Sequence, residues 1–546
     1  MKQRLIVSSL VLALTLAAQS ARSQDVTFDI QRFDIQGNTL LPAEQLEALV
    51  APFTGKGRVF GDIQKAQDAL EDAYRAKGYS TVNVYLPEQE ITRGTIHMTV
   101  TEAVIDKVNI SGNQFFSTEN VRASLPNLRE GAAPNLRQLS ENVQLVNENP
   151  AKQVEVTLGS SEVEGKVDAA VAVTEQDPTR FYVTLDDTGT METGRHRIGV
   201  AYQNANLLGN DEVLTLAYST SPDLWWNRPD EVKMDVYSVS FRKPFYAIGD
   251  SLDIIYGNSN VNTPSTQATG FGIIGKGEVF GLRWNHLFPR RGEYTSKLVL
   301  GYDYKHMNTT CDPDQRGTTA TCTPYTVQPL SATYSGQIQN PVHQISYTLG
   351  LAYNLPTGKS YEISNPAVSR TKTDKYSFIS NRDVNDDFLA MRFGASYARP
   401  FEGWILRAAL NGQLATSGLP SAEQFGLVGS TAVRGFDERA LSTDTGYVVN
   451  LETYTPNFAD DIGLPGNLHG VGFIDFGYGR NVGVDNTASF NTTGVASVGV
   501  GARYSLQKDV SFSIDVAKVT HHGFGDDDTW YRRHGWGGHF KLMLGF

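Results

Sequence analysis

Cysteine is nearly absent from this chain of 546 residues. Only Cys311 and Cys322 occur, both in a polar stretch rich in Thr, Asp and Pro. No second pair of ligands lies near them, which argues against a zinc site. Positive charge is also scarce: 47 Lys and Arg face 59 Asp and Glu, a net charge of -12. That balance argues against nucleic acid as the main partner. Beyond the first two dozen residues no apolar run approaches the roughly twenty residues of a membrane helix. There is no G-x-x-x-x-G-K-[ST] loop for nucleotide phosphates and no G-x-S-x-G elbow for a nucleophilic serine, so neither a nucleotide-driven machine nor a hydrolase is expected. No cofactor is expected either. The mean hydropathy of -0.29 resembles that of a soluble protein. A transmembrane barrel gives the same value, because its lumenal residues are polar. What the chain does have is 51 Gly, 24 Tyr and 10% aromatics, which suits many strands, tight turns and interfacial aromatic girdles.

The amino terminus reads as a signal peptide over residues 1–23. Lys2 and Arg4 supply the basic region, residues 5–18 the apolar run, and Ala21-Arg22-Ser23 a small-x-small cleavage site. As a membrane anchor the run is too short to span comfortably. An exported chain meets an oxidising compartment, so a bridge between Cys311 and Cys322 is expected, with two free thiols as the alternative.

Residues 24–102 and 103–178 read as two units of one design. In the first, a strand over 26–35 leads to a Gly37-Asn38 turn, helices near 42–50 and 62–77, and strands at 81–86 and 95–101. Ile63, Ala66, Leu70 and Ala73 share one helical face, and Gly78 can cap that helix. In the second, a strand over 104–110 leads to the turn Gly112-Asn113. Helices near 117–125 and 135–147 follow, the latter with Leu136, Leu139, Val143 and Val146 in a stripe. Strands at 154–158 and 167–173 close the unit. The stripes read as core packing.

From 179 to 546 the apolar period becomes two. Leu214, Leu216 and Tyr218, then Tyr237, Val239 and Phe241, Phe280, Leu282 and Trp284, and Leu298, Leu300 and Tyr302 alternate with polar residues such as Thr215, Ser240, Arg283, Asn285 and Asp303. This is the apolar-out, polar-in pattern of a membrane barrel, and it recurs to the carboxyl terminus. Short connections near 207–210, 244–249, 288–292, 339–342, 400–402 and 506–508 alternate with long polar loops, as short periplasmic turns and long outer loops require. The connection at 456–469 is long where a short turn is due. The segmentation yields about sixteen antiparallel strands. The fold class is therefore an all-β transmembrane barrel preceded by two α+β domains.

Two motifs stand out in the barrel region. Val433-Arg434-Gly435-Phe436 lies in a long polar loop, and Phe473-Ile474-Asp475 lies inside a strand. In that strand Gly472, Ile474, Phe476 and Tyr478 share one face. If that face meets lipid, Asp475 points inward, because a charge toward lipid is costly. An inward carboxylate needs a cation, and Arg434 is the candidate. Glu452, on the face of Asn450 and Tyr454, is a second candidate partner. Phe473 flanks the same wall. The last strand carries Phe540, Leu542, Leu544 and the terminal Phe546 on one face. His521 and His522 near 526–528 read as an exposed outer loop rather than a metal site.

The Arg-Gly-Phe and Phe-Ile-Asp pair resembles the signature of the outer-membrane transporter superfamily that includes two-partner secretion transporters and barrel-assembly proteins. The twice-used β-α-α-β-β order resembles the POTRA domain. Lys77-Gly78-Tyr79, Leu86-Pro87-Glu88-Gln89 and Gly94 resemble the first POTRA unit of two-partner transporters. Leu185 to Gly189 resembles the first barrel strand of that family, Asn204 to Asp211 its first periplasmic turn, and Glu423-Gln424-Phe425 the approach to its inward-folded loop. Two such units favour the secretion branch. The resemblance implies a barrel in the bacterial outer membrane, POTRA domains in the periplasm, and export of a large haemolysin- or adhesin-like exoprotein, with no enzymatic activity. It implies Arg434 at the tip of a loop held in the pore by Asp475 and Glu452. It also implies that Phe546 ends a signal for the barrel-assembly machinery, and that the chain works in outer-membrane lipid as a monomer. The rival is a barrel-assembly or insertase factor. Well-known members carry a plug helix before the first POTRA unit; here only a few residues separate the cleavage site from Val26, so the loop alone is expected to fill the pore.

Overall fold

The computed structural model describes residues 27–90, 94–189, 194–222, 234–260, 276–307, 325–356, 360–361, 373–374, 384–483, 491–523 and 535–546. Cys311, Cys322, the cleavage site and Val26 lie outside them. The chain forms two compact units. One holds the described residues up to Asn109 together with Asn127–Leu139 and Val156–Val171. The other holds Ile110–Pro126, Ser140–Glu155 and Ala172–Phe546.

The first module contains β1 (Thr27–Ile30), β2 (Arg32–Gln36), α1 (Ala43–Val50), β3 (Gly55–Val59), α2 (Phe60–Ala76), β4 (Val82–Tyr85) and β5 (Thr95–Glu102). Its sheet runs β2-β5-β4, with β2 parallel to β5. The helices bury Leu46, Val50, Ile63, Ala66, Leu70 and Tyr74 against Phe33, Val84, Ile96 and Met98. The helical stripe thus packs as core, with Tyr74 fully buried and Ala73 only partly so. The strand expected over 26–35 is two strands, broken at Gln31, whose N–H turns to the carbonyl of Gly94 at 2.7 Å. β1 pairs with β3, an element sequence reading misses because Gly-Lys-Gly-Arg shows no apolar alternation.

The second module contains β6 (Val104–Ser111), α3 (Thr118–Ser124), α4 (Leu136–Val146), β7 (Lys152–Ser160) and β8 (Lys166–Glu175), in sheet order β6-β8-β7. The repeat is exact in its turns. Gly37 and Gly112 have φ of +88° and +89°, and a Cβ on either would collide with a strand carbonyl, of Val100 or Val173. Only glycine suits both demands. Asn38 donates to the carbonyl of Leu41 at 3.2 Å and Asn113 to that of Phe116 at 3.0 Å. Glu102 accepts the N–H groups of Thr39 and Leu40, as Glu175 accepts those of Gln114 and Phe115.

The barrel strands are β9 (Thr179–Asp186), β10 (Arg197–Asn204), β11 (Val213–Thr220), β12 (Asp235–Phe245), β13 (Asp250–Ser259), β14 (Gly277–Arg291), β15 (Tyr294–Met307), β16 (Tyr325–Val327), β17 (Pro329–Gln339) and β18 (Gln344–Asn354). After a small outer pair, β19 (Ser360–Tyr361) and β20 (Thr373–Asp374), come β21 (Leu389–Phe401) and β22 (Trp404–Ala415). A loop pair, β23 (Phe425–Gly426) and β24 (Ser442–Thr443), precedes β25 (Thr445–Tyr454), β26 (Asn467–Arg480), β27 (Thr492–Leu506), β28 (Val510–His521) and β29 (Trp536–Gly545). Both β16 and β17 pair with β15, so they form one interrupted strand and the closed antiparallel wall has sixteen. Parity is as the alternation requires: Tyr237 and Val239 are exposed while Ser238 is buried, and Ile514 and Val516 are exposed while Asp515 is buried. The seam between β29 and β9 spans Lys541 to Gly545, and the backbone of Phe546 exchanges two hydrogen bonds with Phe181 beyond it. The connection after β25 is long and carries a short helical turn, Asp460–Ile462. Among the described residues no helix is long and apolar enough to cross a membrane.

Within the second unit, Lys152 is wholly buried. Its ammonium reaches both oxygens of Asp211, at 2.8 and 2.7 Å, and the side-chain oxygen of Asn120 at 2.7 Å. Burial pushes its pKa down, opposed by the Asp211 carboxylate. Asn120 donates to the carbonyl of Gly209, and Tyr246 donates its hydroxyl to Asp211. Within this unit, Asn120 and Lys152 are thereby tied to the turns that carry Asp211 and Tyr246.

Candidate functional site: a loop held inside the barrel

Residues 416–444 leave β22, run inside the wall and return into β25. The excursion is stiffened from within. β23 pairs with β24. The Asp444 carboxylate accepts N–H groups from Leu419 at 3.0 Å and Val482 at 2.8 Å. Glu438 accepts the N–H of Ser430 at 2.7 Å. Leu427, Val428, Val433, Phe436 and Leu441 bury themselves with Val448, Val495 and Val519 of the wall. The loop is therefore folded around a small apolar core of its own rather than loosely coiled.

At its tip, Arg434 is buried. It donates Nε–H and Nη2–H to the two carboxylate oxygens of Asp475, each at 2.7 Å, and its backbone N–H adds a third bond at 3.2 Å. This two-pronged geometry suits the planar guanidinium fork. Nη1 reaches Glu452 at 2.9 Å and lies 3.8 Å from Asp515. The guanidinium carbon stands 3.5 Å from the centroid of the Phe473 ring, a cation–π arrangement. Asn450 donates to Asp475 at 2.8 Å and to the carbonyl of Ala432 at 2.9 Å. The structure thus brings Arg434, Asp475, Glu452 and Phe473 together, with Val433 and Phe436 in the apolar cluster beside them.

Gly435 is required by space and by conformation. Its φ is +95°, and a Cβ there would press on Ala517 and Val519. On the facing strand, Gly537 lets the carbonyl of Gly435 approach, since a Cβ on Gly537 would overlap it. The N–H of Gly435 donates to Nε2 of His539 at 3.2 Å. Nδ1 of that ring lies 3.6 Å from Asp187, which accepts the N–H of Phe540 at 2.9 Å.

Several contacts escape sequence reasoning. Asp515 joins the tip and pairs with Arg503 at 2.8 Å. The expected Glu452 is shared with Arg407 at 2.6 Å and Tyr454 at 2.9 Å, bonds the sequence does not show. At the loop's root, Glu423 is buried and held by Lys305 at 2.6 Å and Arg392 at 2.7 Å, while Gln413 donates to its carbonyl at 3.0 Å. The one available signal is the parity of β15 and β21, which turns Lys305 and Arg392 inward. Phe546 lies apart, at the exposed foot of the seam. Cys311 and Cys322 lie outside the described residues, as does most of the loop after His522. Among the described residues no cluster of side chains could hold a metal.

Comparison with known proteins agrees with this architecture. Residues 165–504 match the family described as haemolysin secretion/activation protein ShlB/FhaC/HecB, and residues 28–103 match the ShlB-type POTRA domain. The heme/hemopexin transporter protein HuxB of Haemophilus influenzae is 22% identical over 522 residues, covering 92% of this chain and 86% of the relative. The outer membrane transporter CdiB of Escherichia coli O6:K15:H31 (strain 536 / UPEC) is 23% identical, covering 78% and 69%. In fold, the chain is similar to CdiB from Escherichia coli, with a TM-score of 0.73 at 18% identity over 97% of this chain and 92% of the other, and to CdiB from Acinetobacter baumannii, with a TM-score of 0.68 at 14% identity over 100% and 98%. Since the family match covers more than half of the chain and includes most of the barrel with its inward loop, this chain belongs to the haemolysin secretion/activation family ShlB/FhaC/HecB and is an outer-membrane transporter of two-partner secretion.

Proposed function

We propose that this transporter takes up one large unfolded exoprotein in the periplasm and passes it through the barrel. Residues 1–23 direct export, POTRA-like domains at 24–102 and 103–178 receive the partner, and the barrel at 179–546 conducts it. The observation that carries the reading is the state of Arg434: a buried cation bonded to wall carboxylates fixes a folded loop in the lumen. A conduit for a polypeptide needs such an obstruction to be movable, and an ion cluster released by one residue supplies that. Val433, Gly435 and Phe436 seat the tip, and Asp475, Glu452 and Phe473 form its receptacle. The exoprotein is of the haemolysin or adhesin kind, and its folding outside drives the passage. The transporter itself performs no covalent chemistry. It works as a monomer in outer-membrane lipid, after the barrel-assembly machinery has read the strand ending at Phe546.

Deleting the chain should remove one large exoprotein from the cell surface or medium and leave the other outer-membrane barrels at normal levels. A general loss of barrels would instead favour an insertase. A bridge between Cys311 and Cys322 in an outer loop should be dispensable for export, which mass mapping and a double serine variant can check.

A further inference from the structure

The loop tip has a second hold on the wall, and it depends on a proton. Gly435 is buried, and its N–H reaches Nε2 of His539 on β29 at 3.2 Å. Among the described residues that N–H has no other acceptor. A ring nitrogen accepts only through its lone pair, so Nε2 is bare and Nδ1 carries the single proton of a neutral ring. The ring is itself buried. Nδ1 forms no hydrogen bond among the described residues, and the Asp187 carboxylate stands 3.6 Å from it, beyond bonding distance. One nitrogen thus holds the loop while the other faces a carboxylate it does not yet bond.

The charges around the ring decide where a second proton would be tolerated. The inward loop brings Arg434, Asp437 and Glu438, and β28 brings Asp515. The approach to β10 brings Arg195 and His196, its first residue Arg197 follows, and Lys541 lies two residues on along β29. Two of the cations already have carboxylates: Arg434 holds Asp475 at 2.7 Å, and Arg503 of β27 holds Asp515 at 2.8 Å. Asp187 is different. Among the described residues its carboxylate has no cationic partner except this ring. Its other oxygen accepts the N–H of Phe540 at 2.9 Å, which fixes it beside His539.

We propose that His539 positions the loop tip only while its ring is neutral, and that protonation of the ring unlatches Gly435 from the wall. A proton from lumenal water enters at Nε2, where it meets the N–H of Gly435 donor against donor. The imidazolium is then drawn toward Asp187, on the side away from the loop. Both changes act in one direction, and the buried N–H of Gly435 loses its acceptor. Histidine ordinarily titrates between pH 5 and 8, so mild acid is enough to act on it. Arg434 keeps its charge throughout that range, so acid removes the latch and leaves the cation of the clasp as it was. The proposal rests on the reading that the seated loop obstructs the conduit, and adds a residue and a condition that loosen it.

The test records ionic conductance of the purified full chain in planar bilayers across pH 5 to 8. Openings should be several-fold more frequent at the acid end, along a one-proton curve. His539→Gln keeps an acceptor for Gly435 but has no proton to gain, and it should lose that response. In Asp187→Asn the midpoint should move to lower pH, because the charged ring loses its counter-ion while the amide oxygen still accepts the N–H of Phe540. Anomalous migration on unheated gels checks that each variant is folded. A second readout needs no variant: in the wild type, protection of the Gly435 amide against exchange should fall about tenfold at the acid end, relative to the Arg434 amide bonded to Asp475. A flat wild type, a response retained by His539→Gln (which assigns it to another group such as His196), or equal loss of protection at both amides would overturn the latch. An unchanged midpoint in Asp187→Asn would overturn the part given to that carboxylate. The reading beneath has its own control. If Arg434→Ala conducts no more than the wild type at the alkaline end, the seated loop is not the obstruction, whatever the Gly435 amide does.

Discussion

The two ends of the inward loop are mirror images in charge. At the tip, the loop offers one cation, Arg434, and the wall surrounds it with Asp475, Glu452 and Asp515. At the root, the loop offers one anion, Glu423, and the wall answers with Lys305 and Arg392. In both places the loop supplies the minority charge and the wall the surplus. An empty seat would leave like charges facing each other, so the wall itself favours the seated loop. The ends differ in how the surplus is relieved. Arg392 is nearly half exposed and water can solvate it, whereas Asp475 is wholly enclosed. The tip is therefore the costlier end to disturb, and the root is closer to a hinge.

The largest effect should come from Arg434→Ala. It strands Asp475, and removing one partner of a buried pair costs about 3–5 kcal/mol. The barrel should still reach the outer membrane, migrate anomalously on unheated gels and conduct more freely in planar bilayers, while export of the exoprotein collapses. Asp475→Ala should act alike, and the double variant should be less impaired than the sum, since the two residues share one interaction. Normal export by well-expressed Arg434→Ala would end the idea that the clasp matters. Glu423→Gln tests the root. It keeps a hydrogen-bond acceptor and loses a charge, at about 1.5–3 kcal/mol. Amide exchange should quicken around residues 419–427 while residues 432–436 stay protected. Equal loosening at both ends would erase the distinction between seat and hinge.

This contrast is only half legible in the sequence, for a physical reason. Parity along one strand decides which side chains point inward, so Asp475 between Ile474 and Phe476 can be placed without knowing its neighbours. The closed sheet, its short turns and the turns at Gly37 and Gly112 follow from equally local patterns. Pairing across the lumen depends on register and strand order instead. Nothing local joins Glu423 to Lys305, more than a hundred residues earlier, or Lys152 to Asp211 and Tyr246. Asp515 reads as one more lumenal polar residue until the barrel closes and brings β28 beside the loop. β3 escapes because it lacks the apolar alternation by which strands are recognised.

A smaller, purely steric change can separate position from charge at the tip. Gly537→Ala leaves every ion in place and puts a methyl group where the carbonyl of Gly435 now lies. Overpacking of this kind costs roughly 1–3 kcal/mol. It should shift the tip, weaken the bond from Gly435 to His539 and reduce export partially, with amide exchange at Gly435 as the direct readout. Unchanged exchange there would show that the seat tolerates displacement.

The smallest effect should follow from Arg407→Ala, which probes whether cations outside the clasp matter. Arg407 bonds Glu452 at 2.6 Å, yet its side chain is 40% exposed. Glu452 also keeps Arg434 at 2.9 Å and the hydroxyl of Tyr454 at 2.9 Å. The carboxylate therefore stays paired when Arg407 is lost, and an exposed ion pair contributes about 0–1 kcal/mol. Two opposing consequences follow for the tip. Glu452 loses one competitor for its charge and should hold Arg434 slightly more firmly, while the tip region gains one unit of net negative charge. Export should fall by less than twofold, with exchange at residues 432–436 unchanged or marginally slower. A loss as large as that of Arg434→Ala would mean that the wall's ion network acts as one unit, and the loop's own cation would no longer stand apart from the cations around it.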